Sequence, residues 1–241
     1  MPFKIDIFKP CRELQYGFSE KSDGSMKWFS DKEQFKRNRE SREKFFEKNG
    51  FTPKEAVTAD LVHGAKVKLV DEKDCGNVIQ ETDALVTNSS RVFLTLTAAD
   101  CFPVYLYDPV IQATGLLHAG WRGLVGEVAK NTLVAMQENF DSKPENILAG
   151  IGPGIRRCHF SIKPENERLY GEYPFVIKKR EGDVFADLPK IIISQLKASR
   201  VREENIEDSE LCTYCREDLY FSYRRKKPEF INAMIAYIGI S

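Results

Sequence analysis

The chain has 241 residues, with 36 basic and 36 acidic side chains and 42% hydrophobic residues. This length allows one large domain or two small ones, and it can bury a core without disulfides. The zero net charge argues against a surface built to coat nucleic acid or an anionic membrane. No apolar run reaches the roughly 18 residues of a membrane span. The N-terminal residues lack the pattern of a secretory signal, so we expect a cytoplasmic protein with reduced cysteines.

The first half of the chain predicts strands around one charged helix. Residues 3–18 mix β-formers with turn residues and predict one or two short strands. A capping box at Ser30 opens a highly charged segment that stops at Gly50, which predicts a surface helix. From 56 to 118, short Val-, Leu- and Thr-rich runs between turn residues predict a series of strands.

The second half adds helices on either side of a strand. An apolar face over 123–140 predicts a helix, 147–155 predicts a buried strand that runs into a turn, and 188–201 predicts another helix. Late strands are predicted in the segments SELCTY, DLYFSY and FINAMIAYIGI. There is no internal repeat and no linker composition. We therefore expect a single α/β domain over 1–241, with a mixed β-sheet core flanked by helices.

Three segments combine chemistry-bearing side chains with the end of an apolar run. LVHG contains His63, AADCFP contains Cys101, and LHAGWRG contains His118. In α/β proteins, functional residues gather at strand ends and in the loops that follow them. Two imidazoles and one thiolate suit Zn²⁺, and three protein ligands leave a fourth position open, as in catalytic sites. The spacings alone are weak evidence, and a buried His beside an inert Cys is the alternative.

The same segments resemble a known family. HAGWRG, AADCFP, VHG, TDALVT and GPGI, with GFS at 17–19, the Asn38-Arg39 pair and the segment 212–225, resemble the YfiH-like family in order and content. Its members were once described as laccase-domain or multicopper polyphenol oxidases and are now described as zinc-dependent purine nucleoside phosphorylases. The resemblance implies zinc held by His63, Cys101 and His118, and a fold likened to that of cysteine deamidases. Copper is disfavoured, because a multicopper centre needs more histidines than the three present.

The resemblance also implies an activity and its partners. The expected reaction is phosphorolysis of adenosine, inosine, guanosine or methylthioadenosine to free base and sugar 1-phosphate, accompanied by adenosine deamination. The expected partners are purine nucleoside and phosphate, with no nucleic acid and no membrane, for a monomer or weak homo-oligomer.

We expect Cys101 and His118 to take part in catalysis as well as in metal binding. Further side chains are candidates for roles in the reaction. Asp83 is either a catalytic carboxylate or a group that bonds the backbone at the start of a strand. Arg122 is expected to shape an anion-binding side of the site at a helix start, unless it only stacks on Trp121. Arg224 is a second candidate phosphate contact, and Lys21 stands where the family has an arginine. Leu61 replaces the family's usual glutamine, which could orient a ligand as leucine cannot.

Other cysteines are interpreted as ordinary thiols. Cys212 and Cys215 have C-x-x-C spacing but no second pair and no thioredoxin-like context, so ordinary thiols are favoured over a redox or metal site. For Cys158-His159, packing is favoured over ligation. The basic run 224–227 is interpreted as surface charge, since the chain as a whole is neutral.

Two rival functions remain open at this point. One is a metal-free cysteine hydrolase in which Cys101 is the nucleophile and His118 its base. Metal analysis of protein purified without added zinc separates it from the zinc enzyme. The other is a partner-binding or cell-wall quality-control protein with incidental catalysis, whose mutant phenotype would survive loss of the metal ligands.

Overall fold

A computed structural model describes residues 3–27, 32–171, 173, 177–180, 182–227 and 231–241. The strands are β1 (Leu14–Phe18), β2 (Ala56–Ala59), β3 (Val67–Leu69), β4 (Val78–Ile79), β5 (Ala84–Thr87), β6 (Phe93–Ala98), β7 (Phe102–Asp108), β8 (Ala113–Ala119), β9 (Leu148–Ile151), β10 (Ser161–Ile162), β11 (Ile177–Arg180), β12 (Asp183–Ala186), β13 (Ile206–Asp208) and β14 (Met234–Ile240). The α-helices are α1 (Lys32–Lys48), α2 (Trp121–Val125), α3 (Val128–Phe140), α4 (Leu188–Ala198) and α5 (Tyr223–Lys226). Short 3₁₀ segments include Asp6–Phe8, Lys21–Asp23, Glu72–Asp74, Pro144–Asn146, Pro164–Tyr170 and Glu203–Asn205.

Two mixed sheets form the centre of the molecule. One has the strand order β1-β14-β6-β2-β4, and the other has the order β13-β9-β7-β8-β5-β3. Each sheet combines antiparallel pairs, such as β7 with β8, and parallel pairs, such as β2 with β6. A small third sheet has the order β10-β12-β11. The predicted α/β fold with a mixed sheet core flanked by helices is confirmed, with two main sheets in place of one.

The two main sheets pack against each other, and helices cover their outer faces. Successive residues of a strand point to opposite faces, so Leu94 of β6 faces the other sheet while Phe93 faces α1. In the same way, Tyr105 of β7 lies between the sheets and Val104 lies beneath α3 and α4. The layers therefore run α1, five-stranded sheet, six-stranded sheet, then α3 with α4.

The structure corrects three predicted elements. The helix predicted over 123–140 is two helices, because Glu127 between α2 and α3 has a left-handed backbone with φ 60°. SELCTY forms an irregular loop that pairs with Gly154 through a single parallel bridge at Cys212. DLYFSY leads into the short helix α5 instead of forming a strand. The predicted cap Ser30 lies outside the described residues.

The sheet packing brings separate loops to one edge of the molecule. The link 99–101 carries the chain from β6 in one sheet to β7 in the other, next to the end of β8. The loop between β2 and β3 and the helix α2 lie at this same edge. Among the described residues, no helix has the length and apolar character needed to cross a membrane.

Candidate metal centre and substrate pocket

Three ligand-type side chains from different elements meet at this edge. His63 lies in the loop after β2, Cys101 in the link between the sheets, and His118 near the end of β8. One ligand atom from each lies within 4.8 Å of the others. The two imidazole rings are perpendicular, with centroids 4.9 Å apart. The structure thus brings together the trio that the sequence predicts.

Asp83 forms hydrogen bonds with two members of the trio, the ring of His118 and the backbone of His63. Its Oδ1 lies 3.0 Å from Nδ1 of His118 and accepts the backbone N–H of His63 at 2.9 Å, while Oδ2 accepts the N–H of Gly64 at 2.7 Å. Burial raises the pKa of the Asp83 carboxyl, but these hydrogen bonds outweigh it and lower the pKa below its usual value. The carboxylate is fully buried and outside the pocket lining. This geometry is that of a group that positions the two histidines, and it favours the backbone-bonding alternative that the sequence left open for Asp83.

The electrostatics of the trio favour a thiolate. Burial raises the pKa of the Cys101 thiol, but the charge of His118 and hydrogen bonds from both imidazoles lower it to about 6. Burial lowers the pKa of His118, but Cys101 and Asp83 together raise it to about 9. Without a metal ion, the arrangement therefore favours a thiolate beside an imidazolium.

The donor set fits a Zn²⁺ ion. Asp83 engages Nδ1 of His118, so the other ring nitrogen is left for a metal, as is usual for carboxylate-supported histidine ligands. Gly120 keeps the space beside the sulfur open, because a Cβ there would lie 3.0 Å from Cys101 Sγ. One thiolate and two imidazoles suit zinc, and they would leave a fourth coordination position free.

The trio lies in a pocket of about 340 Å³. Apolar side chains form much of its wall: Leu61, Ile155, Phe160, Leu188 and Ile231. Three basic side chains also line it, namely Lys27, Arg122 and Arg224. The pocket thus offers apolar surface for a flat ring and cations for an anion, next to the candidate metal ligands.

Arg224 is held firmly at the wall of the pocket. Its backbone N–H donates to Asp100 Oδ2 at 2.7 Å, and its Nη1 donates to the carbonyl and hydroxyl oxygens of Ser161 at 2.8 and 2.9 Å. Asp100 also accepts from the hydroxyl groups of Thr213 and Ser222. The Asp100 carboxylate is committed to this network and organises the wall.

Arg122 is exposed, and its Cζ lies 4.5 Å from the centroid of the Trp121 ring. The stacking alternative is thus realised, while the side chain still lines the pocket. The helix α2 has only five residues, so its dipole is smaller than that of the helix predicted over 123–140. The guanidinium carries most of the positive charge available to an anion here.

A second cavity of about 610 Å³ adjoins the pocket. The two cavities share Trp121, Arg122, Phe160 and Arg224. Lys163 and Lys227 line the second cavity. The two arginines therefore stand at the boundary between the metal pocket and a basic cavity.

The expected substrate contact at Lys21 is not brought to the pocket. Its Nζ donates to the backbone carbonyl of Glu217 at 2.8 Å, and the residue is not part of the pocket lining. Lys27, which sequence reasoning missed, lines the pocket instead. No motif surrounds Lys27, so spacing alone offered no signal for it.

A second cluster gathers the residues interpreted as ordinary thiols. One ligand atom each from Cys158, His159, Cys212 and Cys215 lies within 4.8 Å of the others. The second pair that the sequence interpretation found missing beside C-x-x-C is thus Cys158-His159, which lies more than 50 residues earlier in the chain. All the cysteines are free thiols in the structure.

The fold and the first cluster together define an α/β protein with a His-Cys-His pocket able to hold a metal ion. The chain belongs to the family described as multi-copper polyphenol oxidoreductase laccase, which matches residues 15–241. The resemblance to the YfiH-like family is thereby confirmed.

Two relatives that the chain resembles in sequence are both named purine nucleoside phosphorylases. The chain is 34% identical over 196 residues to the purine nucleoside phosphorylase YlmD of Geobacillus stearothermophilus, covering 76% of this chain and 71% of that one. It is 32% identical over 204 residues to a purine nucleoside phosphorylase of Staphylococcus aureus, covering 80% and 76%. The crystal structure of YlmD from G. stearothermophilus matches with a TM-score of 0.86 at 28% identity, over 96% of this chain and 93% of that chain. The YfiH protein of Bacillus licheniformis matches with a TM-score of 0.85 at 27% identity, over 95% and 93%.

Proposed function

We propose that the protein is a zinc-dependent purine nucleoside phosphorylase that also deaminates adenosine. The observation that carries the proposal is the cluster of His63, Cys101 and His118 inside a pocket bordered by two arginines. The names of the similar proteins from Geobacillus and Staphylococcus support the same reaction class. Candidate substrates are adenosine, inosine, guanosine and methylthioadenosine, with phosphate as the second reactant.

The chain's own residues account for binding and orientation. The apolar walls, including Phe160 and Leu188, offer surface for a purine ring. Arg122 and Arg224, at the boundary with the basic cavity, are placed to hold phosphate through their planar guanidinium groups. Zinc, when bound, supplies Lewis-acid polarisation of the nucleoside. Zinc is favoured over copper because the site offers one thiolate and two imidazoles, too few histidines for a multicopper centre.

The test is a panel of purine nucleosides incubated with purified protein, with and without phosphate, and analysed by chromatography. Free base and sugar 1-phosphate should form only when phosphate is present, and inosine should form from adenosine without it. Cys101→Ser should lose both products and the zinc equivalent held by the trio of His63, Cys101 and His118. Free base formed equally well without phosphate would contradict phosphorolysis.

The anion role of Arg122 has its own kinetic signature. Arg122→Ala should raise the KM for phosphate at least tenfold, equivalent to about 1.4 kcal/mol, with zinc content unchanged. The control is Arg202→Ala, an exposed arginine outside both cavities, which should leave the KM for phosphate unchanged. A loss of zinc with lower activity at every phosphate concentration would instead assign Arg122 to holding the loop of His118.

A metal-free cysteine hydrolase is the second candidate. The side chains of Cys101, His118 and Asp83 interact in series, with a thiolate beside an imidazolium. A cysteine hydrolase needs this arrangement. His63 in the same cluster is superfluous for that chemistry. Protein purified without added zinc decides between them, since activity that survives complete removal of metal by a chelator would support the hydrolase.

A further inference from the structure

The cluster of Cys158, His159, Cys212 and Cys215 has the dimensions of a tetrahedral metal site. The Cys158 sulfur lies 3.6 Å from the sulfurs of both Cys212 and Cys215, and Cys215 Sγ lies 3.4 Å from Nδ1 of His159. With Zn–S near 2.3 Å and Zn–N near 2.0 Å, the edges of a tetrahedral zinc site are about 3.8 Å between sulfurs and about 3.5 Å between sulfur and nitrogen. The three distances therefore lie close to the edges of such a site.

Neighbouring side chains fix the cluster and bring a positive charge to it. The His159 ring stacks on Tyr214 with centroids 3.9 Å apart, which fixes its orientation. The Arg225 guanidinium lies over the same Tyr214 ring and donates to the carbonyl oxygen of Tyr214 at 3.1 Å. Its charge partly balances three thiolates around a divalent ion.

We propose that Cys158, His159, Cys212 and Cys215 form a second, structural zinc site, separate from the cluster that contains His118. Three sulfurs and one imidazole complete a four-coordinate shell, which is the arrangement of closed structural zinc sites. The cluster containing His118 offers three ligands and keeps a position open. Thiolate-rich tetrahedral ligation also selects zinc over the harder divalent cations.

The second site joins two loops beside the pocket, one of which lines it through Ile155 and Phe160 while the other leads into α5 with Arg224. Cys158 and His159 follow the turn after β9, and Cys212 and Cys215 lie in the loop after β13. The two loops also pair through their backbones, since Thr213 N–H donates to the Gly154 carbonyl at 3.1 Å. Asp100 is bonded from both loops, by Ile155 N–H and by the Thr213 hydroxyl, each at 2.7 Å. An ion at the second site therefore holds together the two loops that bond Asp100.

The experiment is a zinc measurement on purified full-length variants. Wild type should contain two zinc equivalents per chain, and His63→Ala and Cys215→Ser should contain one each. The double variant His63→Ala/Cys215→Ser should contain none. The control Cys11→Ser/Cys75→Ser changes two free cysteines outside both clusters and should keep both equivalents.

Cobalt spectroscopy provides a second measurement, made with the metal alone. In the His63→Ala background, Co²⁺ should give the absorption bands of a tetrahedral, thiolate-rich site, and Cys158→Ser should weaken them. Cys158 and Cys215 are exposed, whereas Cys212 is buried. Serine at either exposed position therefore tests ligation without disturbing the core. A wild-type zinc content that Cys215→Ser leaves unchanged would overturn the proposal, as would a disulfide among these cysteines in protein purified under reducing conditions. If the proposed function is wrong because the first trio binds no zinc, wild type should contain one equivalent, and that equivalent should be lost in Cys215→Ser.

Discussion

At the scale of single residues, backbone strain and one buried carboxylate organise the candidate metal centre. His63 and Asp100, which carry or precede ligands, both have positive φ values of 59° and 89°. This left-handed region disfavours non-glycine residues, and its cost is tolerated where surrounding contacts impose it. Around His63 that contact is Asp83, which accepts the backbone N–H groups of His63 and Gly64. One carboxylate therefore sets the loop of one ligand and the ring orientation of another.

Replacing this carboxylate should weaken metal binding without unfolding the protein. Asp83→Asn removes the charge that supports His118 and leaves only one oxygen to accept backbone N–H groups. We expect zinc affinity at the first site to fall by about 10- to 100-fold, as measured by competition with a chromophoric chelator. Asp60→Asn, which changes an exposed carboxylate in the same loop as His63, is the control and should leave the zinc affinity unchanged. Unchanged affinity in Asp83→Asn would contradict the positioning role.

At the scale of elements, a few close contacts connect loops and strands that are distant in the sequence. The Gly154 backbone lies directly against the ring of Phe102, at the beginning of β7. Between the two sheets, tyrosines of β7 bond β1 and the residue that precedes it. Tyr105 donates to the carbonyl of Gly17 at 3.0 Å, and the Tyr107 hydroxyl donates to the Glu13 carboxylate. These contacts join elements that the chain order separates.

The contact at Gly154 should tolerate no side chain. A Cβ at this position would lie 2.5 Å from the Phe102 ring, which is fully buried. We expect Gly154→Ala to lower the free energy of unfolding by about 1–3 kcal/mol, measured by urea denaturation. Gly115→Ala is the matched control, because its Cβ would meet the flexible Met136 sulfur at 3.2 Å and should cost less. Equal effects in the two variants would contradict the argument.

The Tyr107–Glu13 contact predicts a pH dependence. The hydrogen bond from Tyr107 lowers the pKa of the Glu13 carboxyl below its ordinary value of 4.5. A folded-state pKa below the unfolded value means stability that is present above the unfolded pKa and is lost as the pH falls through the folded pKa. Tyr107→Phe should therefore cost about 1 kcal/mol near pH 7 and less near pH 3, by urea denaturation at each pH.

Tyr105→Phe supplies the control for this pH dependence. Its hydroxyl donates to the uncharged carbonyl of Gly17, so its cost should be the same at both pH values. A cost of Tyr107→Phe that does not change between these pH values would contradict the role assigned to Glu13.

At the scale of the whole molecule, the apolar core and the candidate metal ligands occupy different parts of the structure. The core between and outside the two sheets consists of fully buried side chains from strands and helices, such as Leu94, Val104 and Leu133. Both candidate metal clusters lie in loops or at strand ends. The layered core therefore has a source of stability that does not depend on an ion.

Chelation should consequently leave a folded protein. Removing zinc that is present at about 100 times its dissociation constant costs about 2.7 kcal/mol per site, so the midpoint of thermal unfolding should fall. The far-UV circular dichroism at 25 °C should stay unchanged, and added zinc should restore the midpoint. Loss of secondary structure on chelation would show that the core depends on metal.

The sequence by itself determined the strands between 56 and 118, the helix that stops at Gly50, and the trio of His63, Cys101 and His118. These features depend on local periodicity, on capping residues and on a motif in which each ligand lies in its own short segment. The sequence also indicated Arg122 and Arg224, both of which line the pocket.

Only the tertiary structure decided which distant side chains meet. The break at Glu127 is a single left-handed residue inside a continuous apolar pattern, and no periodicity marks it. Asp83 could be assigned to positioning only once its carboxylate was seen against His118 and the loop of His63. Cys158-His159 and Cys212–Cys215 are separated by more than 50 residues, and only loop packing after β9 and β13 brings them together. Spacing reports neighbours along one element, whereas a cluster built across two loops depends on how the sheets and loops pack.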